Sequence, residues 1–427
     1  MTALIVIGVA ILFLSAGTAL AYVVGASAVL AFIASDNIRY LAVLPQRVFS
    51  QLDVFALMAM ALFILAGEFM NRTGVTRFLV EFSMSLVGRF KGGLGHVNII
   101  TSVFFAGVSG SAVADAAALG NTLIPAMEKE GYSPAYAAAV TAASSIIGPI
   151  IPPSIILIFY GALMQVSVGG LFAAGLVPGL MLAVALVILN TVFAHHQHHP
   201  EGKNEPRPPI IASFIKAIPA LVLPVVILGG IVFGVVTPTE AAGLAVVCAL
   251  VAGFIYGGVN RRNLVDGLMQ AATLNGSIFI ILTAAACFGW IASLEQWPQK
   301  IGALVTESGL TGVGFLLVVN AFFLMAGMFM DVPMALALLV PLFGPVAINQ
   351  GLDPIHFGIV ICLNLTIGMV TPPIGACLIV VSAISGRSYF EVVRATLPFV
   401  GVEVVVLLLI TLFPEISLFL PRMLGFV

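Results

Sequence analysis

Long apolar runs separated by short polar or glycine-rich breaks dominate the chain. A helix needs about 20 apolar residues to cross a membrane, and runs near this length predict the crossings. They lie at 3–18, 20–34, 50–70, 133–165, 170–194, 214–234, 238–257, 264–292, 354–386 and 389–413. Residues 72–91 and 294–309 carry charges at helical spacing, which predicts two helices that lie on the membrane surface instead of crossing it.

Two stretches of the chain match each other at an offset of 220 residues. The first contains GVSGSAVADAAALG and then GPIIPPS, and the second contains GMFMDVPMA and then GMVTPP. The matching residues are Gly107 with Gly327, Pro125 with Pro345, Gly131 with Gly351, Pro134 with Pro354, Gly148 with Gly368, and Pro152-Pro153 with Pro372-Pro373. Coincident Gly and Pro indicate shared backbone breaks. In a hydrophobic chain such paired breaks indicate the binding site of a secondary transporter.

The segments 94–127 and 312–350 each precede a span that is broken at a Pro-Pro pair. Each is long enough for two short helices that meet at a tip of small residues, which predicts a re-entrant hairpin. The sequence therefore predicts an all-α polytopic membrane protein with two inverted-topology repeats, re-entrant helical hairpins and broken transmembrane helices. We place the first repeat at 1–169, a connecting span with a cytoplasmic loop at 170–213, and the second repeat at 214–427.

Composition excludes a water-soluble globule, because 61% of the 427 residues are hydrophobic, only 8% are charged, and the mean hydropathy is +1.19. No basic face interleaved with aromatic residues indicates nucleic-acid binding. The first apolar run has no basic stretch before it, so we expect no cleaved signal peptide. The four cysteines lack metal-ligand spacing and are interpreted as small core residues. They are Cys248, Cys287, Cys362 and Cys377.

The distribution of positive charge predicts the orientation in the membrane. Residues 3–34 are predicted to cross twice, around Ala16-Gly17-Thr18, because the offset of 220 aligns this turn with a break at Val236-Thr237-Pro238; the alternative is one long tilted helix. Of the sixteen Lys and Arg residues, four then fall on one side, which are Arg39, Arg47, Lys300 and Arg422. The other side is therefore cytoplasmic, and the N-terminus is expected in the periplasm of a bacterial inner-membrane protein. The His-rich linker 195–209 is interpreted as a solvated connector, with metal binding by its histidines as the alternative.

The helix breaks carry the candidate chemistry. A helix interrupted inside the membrane exposes carbonyl and N–H groups that must line an enclosed or watery cavity. The carbonyls suit a hard cation such as Na⁺, and the N-termini of the half-helices suit an anionic group. Oxygen-bearing side chains and glycines surround both breaks, without thiol or imidazole ligands. These are Ser144, Ser145, Gly148 and Ser154 at the first break, and Asn364, Thr366, Gly368 and Thr371 at the second. The alternative is that the prolines only kink the helix and the hydroxyls bond to their own turn.

The predicted hairpin tips face these breaks. Ser109-Gly110-Ser111 forms the first tip, and Gly327 and Asp331 hold the corresponding place in the second. An ionisable residue within an apolar run is by default a functional candidate, so Asp331 is expected at the site, with helix capping as its alternative. Asp115, Glu68, Glu240 and Glu403 are further candidates for buried carboxylates, and for Glu240 capping of the next helix is favoured.

Together, GVSGSAVADAAALG, GPIIPPS, TPTEAAG, GMFMD and GMVTPP resemble the large membrane subunit of tripartite ATP-independent periplasmic (TRAP) transporters. The resemblance covers nearly the whole chain. It implies a Na⁺-coupled importer of organic acids that works as an elevator of the ion-transporter type, in which a transport domain moves against a scaffold. It also implies a small four-helix membrane subunit as a separate chain and a periplasmic substrate-binding protein.

By position, the resemblance places at least two Na⁺ sites at the tips and breaks. One includes Ser109, Gly110, Ser145 and Gly148, and the other includes Gly327, Thr366, Gly368 and Thr371. The substrate carboxylate is expected near Ser111, Ser154 and Asp331. The family takes up C4-dicarboxylates, sialic acid, keto acids and sugar acids. A monocarboxylate such as sialic acid is preferred, since no second basic residue lies beside the breaks.

Three other functions are alternatives to a secondary transporter. An ABC importer permease is the first, because the EAAG of TPTEAAG resembles a loop that docks a nucleotide-binding subunit, but an apolar span follows it at once. An intramembrane enzyme lacks the expected HExxH, paired Asp or Ser/His signals. A passive channel would show uptake that is independent of Na⁺.

Overall fold

The computed structural model describes residues 2–200 and 208–427, and the regular secondary structure of these residues is helical. In the first half the α-helices are α1 Thr2–Ser15, α2 Leu20–Ala34, α3 Leu44–Leu52, α4 Phe55–Arg72, α5 Val75–Val87, α6 Gly93–Ser109, α7 Ala112–Lys129, α8 Pro134–Ser145, α9 Ile155–Met164 and α10 Val168–His196. In the second half they are α11 Ile210–Val232, α12 Pro238–Ile255, α13 Arg261–Leu294, α14 Trp297–Glu307, α15 Val313–Phe329, α16 Val332–Asn349, α17 Pro354–Gly368, α18 Ala376–Ser385, α19 Tyr389–Leu412 and α20 Glu415–Met423.

The two predicted broken helices are present. In the first repeat α8 ends at Ser145 and α9 begins at Ile155, and in the second α17 ends at Gly368 and α18 begins at Ala376. Each gap contains its Pro-Pro pair, and both Pro-Pro bonds are cis. Proline lacks the N–H that would continue the helical hydrogen bonds and clashes with the preceding turn, so both helices stop where the sequence indicates.

The offset of 220 residues holds for whole helices. Helix α6 (93–109) corresponds to α15 (313–329), and α7 (112–129) corresponds to α16 (332–349), at both ends of each helix. The same offset relates α10 to α19. The helices of the two predicted hairpins therefore have equal lengths, and the tips that join them, residues 110–111 and 330–331, are equally long. The division into 1–169, 170–213 and 214–427 and the opposite orientation of the copies stay predictions.

The helices pack as two groups. The frame consists of α1–α5 and α11–α14, in which α4 packs against α12 and α13, and α2 against α13. The hairpin group consists of α6–α10 and α15–α20, in which α8 packs against α7, α18 and α19, and α15 against α17. The groups meet where α4 contacts α6 and α9, where α13 and α14 contact α16, and where α5 and α11 contact α6. Helix α17 is buried from Ile355 to Gly368, so the core of the hairpin group surrounds the broken helices.

Seven helices of the described part are long and apolar enough to cross a membrane, including α10, α13 and α19. With the other apolar helices they make the chain an all-α, multi-pass membrane protein, as predicted. Helix α16 meets the same criterion although it belongs to a predicted re-entrant hairpin. Length alone therefore does not separate crossing helices from re-entrant ones.

Some elements differ from the prediction. Residues 3–34 form two helices, as expected, with Gly17 between them at a φ of +75°. The span predicted at 50–70 begins only at Phe55, because a 3₁₀ helix, Ile38–Val43, and the amphipathic α3 precede it. Helix α20 was not predicted either. These short helices lack the long apolar run on which the prediction relied.

The start of the His-rich linker is exposed at residues 195–198, as predicted, but His199 is buried. Helix α10 continues to His196, and the ring of His199 lies 4.9 Å from that of Tyr132 and 4.4 Å from that of Tyr136. Burial and the charge of Lys91 lower the pKa of His199, which favours the neutral ring. Within residues 2–200 and 208–427, no group of three or more His, Cys, Asp or Glu residues is placed to hold a metal ion. Residues 201–207 of the linker lie outside the described residues.

Candidate functional site

Both hairpin tips line one cavity of about 190 Å³ between the frame and the hairpin group, which we call the inner cavity. The first tip contributes Ser109, Gly110 and Ser111, and the second contributes Asp331, Val332 and Pro333. Ile155 and Met369 bring the two helix breaks to the same wall. The structure thus brings together elements that are more than 200 residues apart in the sequence.

The first tip is a tight turn against the first break. Gly110 has a φ of +62°, and a β-carbon there would lie 3.0 Å from the carbonyl oxygen of Pro153. Glycine is suited to this position because it adopts positive φ without strain and leaves room for the neighbouring backbone. Ser111 caps α7 by accepting a hydrogen bond from the N–H of Ala114 at 3.5 Å.

The second tip rests on the second break through glycine contacts. A β-carbon on Gly368 would lie 2.5 Å from the carbonyl carbon of Gly327, so the two backbones touch. Asp331 holds the N-cap position of α16, but its side chain makes no capping hydrogen bond. The capping alternative therefore does not account for this carboxylate, which lines the inner cavity and is exposed there.

Three helices begin at the wall of the inner cavity. They are α7, which starts at Ala112 behind Ser111, α16, which starts at Val332, and α9, which starts at Ile155. The N-terminus of a helix carries free N–H groups and a partial positive charge that favour an anion. These helix ends favour an anionic group, whereas the charged side chains among the described lining residues are the carboxylates Glu68 and Asp331, without Lys or Arg.

The frame supplies polar groups from α4 and α13. Glu68 lines the inner cavity and forms an ion pair with Arg72 at 3.6 Å. Asn71 and Ser277 line it as well, and the buried side-chain oxygen of Asn71 has no hydrogen-bond partner among the described residues. These groups could donate to or accept from a polar ligand. Asn71 and Ser277 were not predicted at the site, whereas Glu68 was one of the candidate carboxylates.

A buried carboxylate stands at the first break. Asp115 is fully buried, and neither of its oxygens has a hydrogen-bond partner that meets strict geometry in the described chain. A β-carbon on Gly148 would lie 2.1 Å from an Asp115 carboxylate oxygen and 3.3 Å from the carbonyl oxygen of Ser145. The Ser109 hydroxyl is also near this carboxylate. Asp115 thus joins Ser109, Ser145 and Gly148, which the sequence singled out. Its place in an apolar run, four residues after Ser111, was the available signal.

The hydroxyls at the breaks bond to their own helices. Ser145 donates to the Ala142 carbonyl at 2.7 Å, Thr366 to that of Leu363 at 2.7 Å, and Thr371 to that of Ile367 at 2.7 Å. This is the bonding expected from the local alternative, but it leaves oxygen lone pairs available to a cation. The residues predicted for the second Na⁺ site lie close together at the second break. They are Gly327, Gly368, Thr366 and Thr371.

Ser154 does not line the inner cavity. It is fully buried, its hydroxyl donates to the carbonyl of Pro149, and it caps α9 by accepting from the N–H of Leu157 at 3.2 Å. Its proposed contact with substrate stays a prediction that this conformation does not show. What the side chain does here is hold the start of α9 at the cavity wall.

Polar contacts attach each hairpin to its broken helix. The Asn98 amide donates to Thr141 at 2.6 Å and accepts from Ser144 at 3.0 Å, joining α6 to α8. In the second repeat Asn364 donates to the Asn320 side chain at 2.8 Å, and Asn320 donates to Thr411 at 2.8 Å. Side-chain hydrogen bonds of this kind hold membrane helices together where lipid offers no partner.

The other carboxylate candidates have different roles. Glu240 forms a capping box with Thr237 at the start of α12, as favoured from the sequence. Glu403 is fully buried inside the hairpin group, and neither of its carboxylate oxygens has a hydrogen-bond partner among the described residues. Neither residue lines the inner cavity.

Comparison with known proteins identifies the family. The family model of the tripartite ATP-independent periplasmic transporter, DctM component, matches residues 6–416. The chain is 38% identical over 402 residues to the C4-dicarboxylate TRAP transporter large permease protein DctM of Pseudomonas aeruginosa, covering 94% of this chain and 93% of that protein. It is 36% identical over 395 residues to the sialic acid TRAP transporter large permease protein SiaM of Vibrio cholerae, covering 92% of each.

A solved structure has the same fold. The YdaH transporter of Alcanivorax borkumensis, described as having an unusual topology, aligns with a TM-score of 0.67 at 14% identity, over 99% of this chain and 98% of that one. These relatives are transporter permease subunits, not enzymes or ABC permeases. The chain therefore belongs to the DctM family, the large permease subunits of tripartite ATP-independent periplasmic transporters.

Proposed function

We propose that this permease subunit carries an organic acid into the cell together with Na⁺, and that its hairpin tips and helix breaks form the site that moves. The observation that carries the proposal is the inner cavity, where Ser109-Gly110-Ser111, Asp331 and the ends of both breaks converge between frame and hairpin group. A site shared by two repeats at their interface is the arrangement that secondary transporters use for alternating access.

The substrate class follows from the wall of the cavity. Three helix N-termini favour an anionic group, and Ser111, Asn71 and Ser277 supply hydrogen-bonding groups for the rest of the ligand. We assign the substrate to the organic acids of the sialic acid or C4-dicarboxylate class. The absence of Lys and Arg from the described lining supports an acid with one carboxylate, such as sialic acid.

Na⁺ is assigned to the two breaks. At the first, the Asp115 carboxylate, the Ser145 carbonyl and the Ser109 hydroxyl offer oxygen ligands around Gly148. At the second, the backbones of Gly327 and Gly368 meet beside Thr366 and Thr371. Hard cations prefer oxygen ligands of these types. Binding at the first break would neutralise the buried Asp115 carboxylate, and binding at both breaks would lock each tip against its break.

The packing supports an elevator movement of the hairpin group against the frame. The inner cavity lies at the seam between the groups, so a displacement along α4 and α13 would carry the tips and breaks across the membrane and exchange the frame residues, such as Asn71 and Ser277, that face them. A small four-helix subunit would extend the frame, and a periplasmic binding protein would deliver the acid. In this proposal the protein lies in the bacterial inner membrane, with its N-terminus in the periplasm.

Reconstitution tests the function. The chain, co-purified with its small subunit, is placed in proteoliposomes, and uptake of radiolabelled N-acetylneuraminate or succinate is measured with the matching binding protein outside. We expect uptake under an inward Na⁺ gradient and no uptake under an equal K⁺ gradient. Uptake that is equal in both salts would show a passive channel and contradict the proposal.

Two substitutions test the site within the same assay. Asp331→Asn and Ser111→Ala are each expected to lower Na⁺-driven uptake at least about tenfold, because the first removes a negative charge and the second a hydroxyl group from the cavity wall. Asp36→Asn and Ser308→Ala serve as matched controls, since both residues are exposed on the frame and outside the cavity. Wild-type uptake by both site variants would refute the assignment.

A further inference from the structure

A second cavity, of about 380 Å³, lies between α3, α4 and α13 of the frame and α9 and α16 of the hairpin group. We call it the outer cavity. Its polar lining consists of Arg47, Ser50, Gln51, Gln165, Trp290 and Ser293. None of these residues was predicted at a site.

The outer cavity follows the same seam as the inner one. Helix α4 contributes Leu57 to the outer cavity and Ile64 to the inner one, seven residues and about 10 Å further along the helix axis. Helix α13 contributes the neighbours Leu282 and Ile281 to the outer and inner cavity, respectively. The two cavities are therefore successive positions on one path between the moving group and the frame.

Helix α3 turns a polar face to this path. Arg47, Ser50 and Gln51 are three and four residues apart, a spacing that places side chains on one face of a helix. Phe49 is not part of this lining and is 73% exposed. This explains why α3 is amphipathic, because its polar face lines the outer cavity and Phe49 lies outside that lining.

Arg47 carries a positive charge that no carboxylate in the described chain neutralises. Its guanidinium carbon lies 4.1 Å from the centroid of the Trp290 ring, it has no ion pair among the described residues, and the cavity lining includes no Asp or Glu. Stacking on an aromatic ring uses the face of the guanidinium and leaves its edge N–H groups free to bind a carboxylate. The indole N–H of Trp290 is buried and likewise without a hydrogen-bond partner in the described chain.

We propose that the outer cavity is an anion-binding subsite, where Arg47 and the Trp290 N–H hold the carboxylate of the transported acid before it reaches the inner cavity. The inference rests on the proposed transport function and adds a second binding position to it. One uncompensated cation suits one carboxylate. The inner cavity holds Glu68 and Asp331 but no Lys or Arg among its described lining residues, so charge attraction acts at the outer position and is weaker at the inner one.

Uptake kinetics of the complete transporter in proteoliposomes test the subsite. Arg47→Gln is expected to raise KM for the acid about tenfold and to leave kcat within about twofold, because the lost charge attracts the anion before translocation begins. Arg47→Lys should retain part of the affinity. The matched control is Arg39→Gln, which removes an exposed cation that lies 5.0 Å from the Tyr40 ring and outside the cavity lining. Equal KM values for Arg47→Gln and Arg39→Gln would overturn the proposal.

A direct binding measurement separates this inference from Na⁺ coupling. The chain has two tryptophans, so Trp297→Phe leaves Trp290 as its only one. In this background, titration of the purified full chain with potassium N-acetylneuraminate or potassium succinate should change the fluorescence saturably, and Arg47→Gln should abolish the change. If Na⁺ dependence fails while this signal persists, only the coupling is wrong. A signal absent from a chain that transports, or equal with potassium chloride, contradicts the subsite.

Discussion

At the scale of single residues, the site depends on polar groups that are buried without partners. Asp115 is the clearest case, because a carboxylate enclosed in protein is destabilising unless a cation or hydrogen bonds compensate it. The Gly148 backbone lies against it, because a β-carbon there would lie 2.1 Å from a carboxylate oxygen. The side-chain oxygen of Asn71 at the inner cavity is likewise buried without a partner among the described residues, whereas Asp331 is an exposed carboxylate in the cavity lining.

Asp115→Asn is expected to reduce stabilisation by Na⁺, because it removes the carboxylate from one of the two proposed sites. A ligand that binds only the folded state raises the free energy of unfolding by an amount that depends on the ratio of its concentration to Kd, on the order of 1–3 kcal/mol here. The wild-type chain in detergent should therefore melt several degrees higher in NaCl than in choline chloride, and Asp115→Asn should show a smaller difference between the two salts. The measurement is thermal unfolding followed by scanning fluorimetry.

Asp36→Asn is the control and should respond to Na⁺ like the wild type, since Asp36 is exposed on the frame. A salt response in Asp115→Asn as large as that of the wild type would remove Asp115 from the ion site. Loss of the response in both variants would point to a general effect of charge.

At the scale of helices, polar side chains decide how each hairpin is fixed to its broken helix. Asn364 joins α17 to α15, and Asn320 extends the contact to Thr411 of α19. The corresponding contact in the first repeat uses Asn98, Thr141 and Ser144. The partners differ, but each copy attaches the first helix of its hairpin to the first half of its broken helix.

Asn364→Leu should destabilise the hairpin group by about 1–3 kcal/mol, because the substitution leaves Asn320 acceptors buried without a donor. We expect a lower melting temperature in detergent and reduced uptake. Asn121→Leu is the matched control, since Asn121 is exposed on α7 and bonds only within its own helix. Equal melting temperatures for the two variants would show that the buried contact contributes nothing measurable.

At the scale of the whole molecule, frame and hairpin group share seams at α4 with α6 and α9, and at α13 with α16. Both cavities lie on these seams, and one continuous hydrophobic core extends through both groups. Helix α11 of the frame approaches α6 so closely that a β-carbon on Gly107 would lie 2.6 Å from the β-carbon of Pro224. This contact is suited to a test of relative movement.

A disulfide between Gly107→Cys and Pro224→Cys, in a chain whose native cysteines are replaced by alanine, is expected to block uptake reversibly. The bond needs β-carbons about 3.5–4.5 Å apart, which a small local separation provides, and it would tie the hairpin group to the frame. Oxidation should stop Na⁺-driven uptake in proteoliposomes, and reduction should restore it.

The control cross-link lies within the frame. Gly25→Cys and Ala284→Cys place β-carbons 3.7 Å apart on α2 and α13, and their disulfide should leave uptake unchanged. Undiminished uptake with the Gly107–Pro224 bond formed would argue against movement between the two groups.

The sequence by itself determined the long apolar helices, their breaks and the tips of the hairpins, but not the short helices α3 and α20. Gly and Pro act through local backbone sterics. Pro152-Pro153 and Pro372-Pro373 therefore indicate helix breaks, and Gly110 indicates a turn, without any knowledge of tertiary contacts. The family was recognisable for the same reason, because its motifs are largely these breaks.

Only the tertiary structure decided which polar groups meet. It set Asp115 against Gly148, withdrew Ser154 from the cavity into a helix cap, and placed Arg47 over Trp290. It also buried His199 between two tyrosines. Such contacts depend on the packing of helices that are distant in sequence, and no local pattern of hydrophobic and polar residues records which faces will touch.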